Sequence, residues 1–355
     1  MKSYRFDGHK LIYHLDRVNE YISRGDCFPL YMEISPVGSC NHRCIFCAYD
    51  FIGYPNRKLD TTRTLKLLDE LAEAGLKSIL FAGEGEPLLH PDLESLILHA
   101  RSNGIDAGLF TNGQLLTPEK AERIMPALTF VRFSFNGGNS GTYAKVHQVR
   151  HEAFDQAVEA MRNASALKKK LGLESAIGAQ FVVIPENIDS LVEAVALLRE
   201  AGVDYVAIKP FVQQSGQQGY QLNNPLDVEH VDTCLSAAEA LSTDTFAVMA
   251  RRVAFGDYGV RRYSHCFGTS FISTLNSAGD MATCLPYWDK SDFVFGNIYG
   301  QSFREIWNGP RRKKIKTHLE EHLKVSECPP NCRPNAVNDF LFELKFPSVE
   351  HINFI

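Results

Sequence analysis

Seven of the nine cysteines in this 355-residue sequence fall into two groups that have the spacing of metal ligands. The amino-terminal group consists of Cys40, Cys44 and Cys47. The carboxyl-terminal group consists of Cys266, Cys284, Cys328 and Cys332. The cysteine count is odd, and the first residues, MKSYRFDGHK, lack the apolar segment of an export signal. Clustered thiols therefore favour metal binding over a disulfide framework, and we interpret Cys27 and Cys234 as ordinary thiols.

The amino-terminal group places three thiols within eight residues, with gaps of three and two residues between them. A loop this short can wrap three corners of a [4Fe–4S] cube and leave the fourth iron open for a reactive ligand. The alternative is structural zinc, with His42, Asp50 or a remote group as the fourth ligand. Zinc sites more often use paired C-x2-C segments, so the unequal gaps favour the cluster.

The carboxyl-terminal group has the spacing C-x12-G-x4-C, with Gly279 as its glycine, followed by a C-x3-C pair. The segments Ile272–Leu275 and Met281–Cys284 predict a hairpin that turns at Gly279. A hairpin with one thiol before it and one on its return strand, together with the later pair, can complete a four-thiolate cage around a second cluster. Four thiolates also make a tetrahedral zinc site, so zinc stays open as an alternative.

The elements that must position these residues alternate between helix and strand, which predicts an α/β fold with a parallel sheet. Six strand candidates are Leu30–Ile34, Ser78–Ala82, Asp106–Phe110, Phe130–Phe135, Ala176–Ile184 and Tyr205–Lys209. An open, incomplete barrel and a doubly wound sheet both fit this count, and both place chemistry at the carboxyl ends of the strands. A lead-in helix precedes the first strand, and a polar segment, residues 213–224, predicts a loop or lid over the strand ends.

Four motifs in order make the sequence similar to the radical S-adenosylmethionine (radical SAM) superfamily. CNHRCIFC followed by Tyr49 resembles the C-x3-C-x2-C-x-aromatic signature, and Gly83–Pro87 (GEGEP) resembles the GGEP-type motif. Thr111–Gly113 resembles the TNG motif, and Phe133–Gly137 resembles S-x-D-G, with Asn136 in place of the usual Asp. The resemblance covers residues 30–210 and implies a partial (β/α)6 TIM-like barrel.

The resemblance also implies the cofactors and their ligands. Cys40, Cys44 and Cys47 would hold a [4Fe–4S] cluster whose open iron binds S-adenosyl-L-methionine. The further cofactor-binding residues implied are Tyr49 beside the adenine, Gly85, Glu86 and Pro87 at the methionine ammonium, Asn112 of the TNG motif, and Ser134 and Asn136 at the ribose. Glu86 and Asn112 are also common turn residues, and Ser134 also suits an ordinary strand end. A 5′-deoxyadenosyl radical and a flavodoxin- or ferredoxin-type reductant follow from the same resemblance.

The carboxyl-terminal group resembles the SPASM/twitch extension of some radical SAM enzymes. Its four cysteines, against seven in the full SPASM pattern, fit the shorter twitch form with one auxiliary [4Fe–4S] cluster. The final C-x3-C departs from the common C-x2-C. We therefore expect three parts: a lead-in helix in residues 1–29, a partial barrel in residues 30–250, and an auxiliary cluster domain in residues 251–355.

The architecture resembles twitch-group enzymes that act on small polar molecules, so a sugar, nucleotide sugar or aminocyclitol is the first substrate prediction. The auxiliary cluster would accept an electron in a dehydrogenation, or a thiol would return hydrogen in an epimerisation. About 29 residues precede the first strand, fewer than a leader-peptide-binding domain needs. A peptide- or protein-modifying enzyme is the alternative, and a non-catalytic metal-binding module is the least favoured. Glu84, Lys209 and His147 are the acid–base candidates.

Two predicted pocket shapes separate these substrates. A polyol enzyme should have a closed, polar, sugar-sized pocket, whereas a peptide enzyme should have an extended groove.

The composition of the sequence bears on binding to nucleic acids and membranes. The 37 Lys+Arg and 42 Asp+Glu residues give a net charge of −5, which offers no support for nucleic-acid binding. The sequence has no run of about 18 apolar residues, so we expect no membrane span and a cytoplasmic protein.

Overall fold

A computed structural model describes residues 9–214, 217–222, 226–256, 261–284, 287–288, 290–330 and 332–354. Its strands are β1 (Tyr31–Ile34), β2 (Ser78–Phe81), β3 (Asp106–Thr111), β4 (Leu128–Ser134), β5 (Ala176–Val183), β6 (Tyr205–Pro210), β7 (Ala247–Ala250), β8 (Ile272–Leu275), β9 (Asp280–Ala282) and β10 (Val294–Asn297). These strands form one sheet in the order β10-β9-β8-β1-β2-β3-β4-β5-β6-β7. Within the described residues β10 and β7 end the sheet, so the barrel is open.

The helices lie between and after the strands. They are α1 (Leu15–Arg24), α2 (Thr61–Glu73), α3 (Leu93–Ser102), α4 (Pro118–Ile124), α5 (Ser140–His147), α6 (Glu152–Leu171), α7 (Leu191–Glu200), α8 (Val228–Glu239), α9 (Arg252–Gly256), α10 (Phe303–Trp307), α11 (Pro310–Glu321) and α12 (Asn335–Lys345). Their caps follow from the sequence: Asp60 accepts a hydrogen bond from Arg63 N before α2, and Gly172 ends α6 in the left-handed conformation.

Neighbouring strands from β1 to β7 are parallel, and their side chains alternate between two environments. One face carries the apolar core under the helices, including Met32, Ile34 and Phe133. The opposite face lines the lumen of the open barrel. It carries Glu33, which lies between Met32 and Ile34 in β1, and Arg132, which directly precedes Phe133 in β4.

The six predicted strands are confirmed, and β7 is a seventh parallel strand that the sequence did not reveal. β7 pairs with β6 along Tyr205–Ile208. Its four residues are all half-buried, so they lack the continuous burial and apolar pattern that marks the central strands. The helices α5 and α8 and the four helices after residue 251, α9 to α12, were likewise not predicted. The lead-in helix is confirmed as α1, which begins at Leu15 after a short 3-10 turn.

The carboxyl-terminal hairpin is confirmed and continues the barrel sheet. β8 and β9 are antiparallel, and Gly279 occupies the turn with a φ of 86°. β8 pairs in parallel with β1 on the side away from β2. This pairing joins the last third of the chain to the strand that precedes the amino-terminal cysteines. Within the described part of the chain, no helix combines the length and apolar character needed to cross a bilayer.

Candidate active site at the carboxyl ends of the strands

The amino-terminal thiols lie together in the loop that leaves β1. The backbone N–H of Cys47 donates to the Cys44 carbonyl at 3.0 Å, and the backbone N–H of His42 donates to Cys40 Sγ at 3.4 Å. Burial raises the pKa of Cys44 well above its usual value, and negative charge on Cys47 and Cys40 raises it further. A cationic metal centre among the three sulfurs would offset both effects, because thiolates are the form that binds metal.

The carboxyl-terminal thiols form a second group of the same kind. Burial raises the pKa of Cys284 well above its usual value, and the pKa is raised further by negative charge on Cys266, Cys332 and Cys328. Asn338 Nδ2 donates to Cys266 Sγ at 3.7 Å. All four residues were predicted from their spacing, and the fold brings them together although 66 positions separate the first from the last.

The spacing of the sulfurs fits an iron–sulfur cube better than zinc. Zn–S bonds of about 2.3 Å in a tetrahedron hold all sulfurs within about 4 Å of one another. Among the described residues, no three of these cysteines have sulfurs that all lie within 4.8 Å of one another. Each corner of a cube carries a separate iron, so its thiolates stand further apart. Among the described residues, the side chains that do lie this close together are His42, Cys44 and His147, and both thiol groups are wider than a tetrahedral zinc site.

His147 lies beneath the amino-terminal cysteine loop rather than in the lumen. Its Nδ1 is 3.3 Å from Cys44 Sγ and 3.3 Å from His42 Nδ1, and its ring stacks on Tyr143 at 4.1 Å. Burial lowers the pKa of His147 well below its usual value and that of His42 to about 4, so both rings are neutral. A fully buried ring has no access to substrate. This position favours a supporting role over the predicted acid–base role.

The GEGEP segment packs directly against the start of the cysteine loop. A Cβ on Gly85 would lie 2.0 Å from the Ser39 carbonyl oxygen, which the neighbouring Glu86 N–H binds at 3.0 Å. The Glu86 carboxylate accepts hydrogen bonds from Thr111 Oγ1 at 2.7 Å, Asn112 N at 2.8 Å and Leu88 N at 3.1 Å. Glycine is required by this close approach, and the buried carboxylate is fixed between two strand ends.

The other predicted cofactor residues also gather at this edge. Asn112 Nδ2 donates to Asn41 Oδ1 at 2.8 Å, which links the TNG motif to the cysteine loop. Asn136 is buried, and its Oδ1 accepts the Val182 N–H at 2.7 Å, so this side-chain oxygen already has a partner. Ser134 is half-buried at the end of β4. Pro87 is buried and opens the short turn that Glu86 caps.

A contact between the two halves of the chain, absent from the sequence prediction, centres on Glu84. Its carboxylate accepts hydrogen bonds from Trp288 Nε1 at 2.7 Å, Arg57 Nη2 at 3.2 Å and both the backbone N–H and hydroxyl of Ser277. The Trp288 ring contacts Tyr49 edge-on at 5.4 Å. With these partners Glu84 joins the barrel to the auxiliary segment, which favours a positioning role over the predicted acid–base role.

The sequence held one signal for this contact, because Trp288 is one of only two tryptophans and lies four residues after Cys284. Its partner could not be identified in advance, since Glu84 lies 204 positions earlier and is brought near only by the pairing of β1 with β8. Arg57 and Ser277 carried no distinguishing pattern.

The polar segment after β6 approaches the cysteine loop, as expected of a lid. The Asp50 carboxylate, three residues after Cys47, accepts hydrogen bonds from the backbone N–H of Gln218 and of Gly219. Tyr220 Oη donates to Glu186 Oε2 at 2.6 Å. Residues 215, 216, 223 and 224 of the predicted segment lie outside the described residues. The described part of the segment therefore contacts the cysteine loop through Asp50.

An open cleft of about 530 Å³ separates the two cysteine segments. On the barrel side it is lined by Phe51 and Ile52, which follow Cys47 closely, and by Arg57 and Glu84. Its other wall comes from the carboxyl-terminal third of the chain and consists of Asn276, Asp280, Trp288, Ser291, Val294 and Arg311. The cleft opens to solvent and mixes apolar with charged groups. Its two walls thus come from residues near both cysteine groups in the sequence.

Lys209 lies near the carboxyl end of β6, on the face of the sheet that lines the lumen. The charges that act most strongly on it are the guanidinium groups of Arg333, Arg132 and Arg251 and the carboxylate of Glu33. Burial is the largest cause of its lowered pKa, about 8, and the three cations add to it. Of the three predicted acid–base candidates, Lys209 is the one that faces the lumen.

Comparisons with known proteins agree with this geometry. The family model of the radical SAM superfamily matches residues 34–198, and the model of an iron–sulfur cluster-binding domain, SPASM, matches residues 266–333. Fe-coproporphyrin III synthase from Methanosarcina barkeri is 28% identical over 295 residues, covering 76% of this chain and 71% of that protein. PqqA peptide cyclase from Gluconobacter oxydans is 27% identical over 283 residues, covering 76% and 74%.

Solved structures of SuiB from Streptococcus suis share the fold. The S-adenosylmethionine complex gives a TM-score of 0.66 at 17% identity, covering 86% of this chain and 72% of that chain. The complex with precursor peptide SuiA gives the same TM-score at 16% identity, covering 89% and 75%. The chain therefore contains a radical SAM domain and a SPASM domain: it is an enzyme that uses S-adenosylmethionine and has a [4Fe–4S] cluster in each of these two domains.

Proposed function

We propose that this enzyme modifies a peptide or protein by removing a hydrogen atom from one of its C–H bonds. PqqA peptide cyclase is among the relatives, and SuiB, which shares the fold, was crystallised with a precursor peptide. These comparisons support the peptide alternative better than the sugar, nucleotide sugar or aminocyclitol that the sequence analysis placed first. Under this proposal the auxiliary domain serves a macromolecular substrate rather than a small polyol.

The observation that carries the proposal is the shape of the cleft. A closed, polar, sugar-sized pocket was expected for a polyol enzyme, and an extended groove for a peptide enzyme. The cleft of about 530 Å³ is open to solvent, and its lining residues are of two kinds: four are apolar or aromatic, Phe51, Ile52, Trp288 and Val294, and six are polar or charged, Arg57, Glu84, Asn276, Asp280, Ser291 and Arg311. An open cleft with mixed walls suits the backbone and varied side chains of a peptide, whereas a small polyol is better held in an enclosed pocket.

We assign the cofactor ligands by position. Cys40, Cys44 and Cys47 would hold the radical SAM cluster, and the carboxyl-terminal thiols would hold the auxiliary one: Cys266, Cys284, Cys328 and Cys332. When bound, the first cluster and S-adenosylmethionine together supply the radical that abstracts hydrogen. Glu86, held in the barrel edge by three donors, would attract the methionine ammonium, and the half-buried Ser134 would contact the ribose.

The remaining residues of the site position groups and exclude water. Asp50 holds the lid backbone over the cysteine loop, and Glu84 fixes Trp288 beside Tyr49. A radical must meet its target C–H bond before another hydrogen donor does, so a fixed and covered site favours the intended reaction. Glu84 and His147, predicted as acid–base groups, act in this proposal by holding the two cysteine segments in place.

Deuterium transfer would identify the substrate class. Cells grown in deuterated medium would supply a peptide fraction and a small-molecule fraction, and each would be incubated with anaerobically reconstituted, reduced enzyme and S-adenosylmethionine. We expect 5′-deoxyadenosine to gain deuterium from the peptide fraction. Deuterium gained from the small-molecule fraction alone would overturn the proposal. The Cys44→Ala variant should give no transfer from either fraction, and Cys234→Ala, which alters a thiol outside both groups, should match the unaltered enzyme.

A further inference from the structure

The lumen of the barrel holds a group of charges that the proposed chemistry does not use. Lys209 lies on β6, and Arg132 lies on β4 with its Nε donating to Tyr205 Oη at 3.1 Å. Tyr205 precedes Lys209 by four residues on the same strand, so both side chains point to the same face of the sheet. The two cations therefore share the lumen face of β4 and β6, with Arg132 level with Tyr205 and Lys209 four residues nearer the carboxyl end of the sheet.

Arg333 enters the same space from the auxiliary domain. It follows Cys332 directly, and its Nη1 donates to Tyr31 Oη at 2.6 Å and forms an ion pair with Glu33. Glu33 is the one carboxylate among the four charges that act most strongly on Lys209, and Arg333 already neutralises it. The charges that act most strongly on Lys209 are therefore three guanidinium groups and one carboxylate that is already paired.

The ammonium group of Lys209 has no counter-charge of its own. Among the residues that the structure describes, Lys209 Nζ forms neither a hydrogen bond nor an ion pair. Lys209 is half-buried, and an ammonium group partly withdrawn from water near other cations is unfavourable unless an anion joins it. A ligand that brings a negative charge into the lumen would remove this cost and gain a charge-assisted hydrogen bond.

We propose that Lys209, on the same lumen face as Arg132 and within reach of the charge of Arg333, binds a carboxylate of the peptide substrate in the barrel lumen. This inference rests on the proposed peptide function, because a carboxylate is the anion that a peptide carries, on Asp or Glu side chains or at its carboxyl terminus. Tyr31 and Tyr205 lie at the amino-terminal ends of β1 and β6, where their hydroxyl groups accept hydrogen bonds from Arg333 and Arg132. Binding at Lys209 would set which C–H bond of the peptide lies near the cofactor.

Chemical labelling of Lys209 tests the inference without turnover. Full-length reconstituted enzyme would be treated briefly with acetic anhydride near pH 8, and acetylation of Lys209 and of the exposed Lys313 would be measured by peptide mass spectrometry. Three probes at equal concentration would compete: N-acetylglutamate methylamide with a side-chain carboxylate, N-acetylglutamine with a terminal carboxylate, and N-acetylglutamine methylamide with none. Lys313 reports any general effect of the probes.

We expect one or both of the carboxylate probes to slow acetylation of Lys209 several-fold and to leave Lys313 unchanged. The neutral amide should protect neither lysine, and the difference between the two acids would show which carboxylate the site takes. Equal labelling in all three mixtures, or equal protection by the neutral amide, would overturn the inference. Complete protection by S-adenosylmethionine alone would assign Lys209 to the cofactor and would also overturn it. Because no turnover is needed, these outcomes are independent of whether a peptide is modified.

Discussion

Glu86 accepts hydrogen bonds from three donors and has no donor of its own, so a carboxylate is the group that satisfies this position. A Glu86→Gln substitution would turn an amide N–H2 toward one of the N–H or O–H donors. We expect S-adenosylmethionine binding to weaken by about tenfold or more, because the charge is lost and the edge of the site is disturbed. Equilibrium dialysis of the cluster-loaded enzyme would measure the dissociation constant for S-adenosylmethionine.

The matched control for Glu86 is Glu122→Gln, which removes a carboxylate from an exposed position on α4. Its cofactor binding should equal that of the unaltered enzyme. Unchanged binding in Glu86→Gln would contradict the role assigned to this carboxylate.

His90 provides a pH-dependent contribution to stability that is separate from the cysteine loop. Its Nε2 donates to the Leu59 carbonyl at 2.9 Å and its Nδ1 accepts the Asp92 N–H at 3.1 Å, which requires the neutral ring. Burial is the main cause of its lowered pKa. The pKa of this histidine in the unfolded chain is about 6.5. Below that pH the unfolded chain binds more protons than the folded one, so the free energy of unfolding falls as the pH falls.

We expect His90→Gln to reduce the loss of unfolding free energy below pH 6.5 by up to about 1.4 kcal/mol per pH unit. Urea denaturation of the unaltered enzyme and the variant at several pH values would measure both slopes. The variant should be less stable at pH 8, where the neutral histidine makes both hydrogen bonds. Parallel slopes below pH 6.5 would exclude His90 as a source of the pH dependence.

At the scale of elements, β8 is the strand that brings the auxiliary segment to the barrel, and Glu84 secures that junction. A Glu84→Gln substitution would remove the charge from a carboxylate with four hydrogen-bond donors. We expect the free energy of unfolding to drop by about 1–3 kcal/mol, with faster hydrogen exchange in residues 276–284. Hydrogen-exchange mass spectrometry would localise the change.

The control for this junction is Glu200→Gln at an exposed position in α7, which should leave both properties unaltered. Exchange that accelerates only around β2 would mean that Glu84 stabilises its own loop rather than the contact between the two segments.

Local patterns predicted the elements well where burial was continuous. The six central strands follow from apolar runs between helices, and the hairpin of β8 and β9 follows from the glycine at its turn. β7 was missed because its residues are half-buried, and α5 was missed because Gly137 and Gly138 obscured its start after Asn139. The pairing of β8 with β1 joins segments more than 230 positions apart, which no local pattern specifies.

The residues of the candidate site also fall into those that local patterns predict and those that depend on long-range contacts. Cysteine spacing predicted both thiol groups, and strand-end motifs predicted Glu86 and Asn112. The partners of Glu84 and the position of Arg333 beside Glu33 depend on long-range folding, so the sequence alone did not reveal them. His147 was assigned to acid–base chemistry because it follows a strand end, yet burial under the cysteine loop keeps it from the lumen.

At the scale of the whole molecule, the two cysteine segments flank one cleft, and each should serve a separate step. We expect Cys44→Ala to abolish cleavage of S-adenosylmethionine. Cys284→Ala should retain cleavage and lose most product, because it lies in the other group of thiols and leaves the first unaltered. Chromatography of 5′-deoxyadenosine and mass spectrometry of the peptide would measure the two steps. Normal product formation by Cys284→Ala would remove the auxiliary site from the reaction.

The most direct test of the two-centre arrangement is elemental analysis of anaerobically reconstituted enzyme and matched cysteine variants. Two four-iron clusters predict about eight irons and eight sulfides per chain, with about four of each in Cys44→Ala and in Cys284→Ala. Cys234→Ala should retain the full content. Zinc bound at either group in place of iron, or an iron content that neither variant lowers, would contradict the assignment of one cluster to each set of thiols.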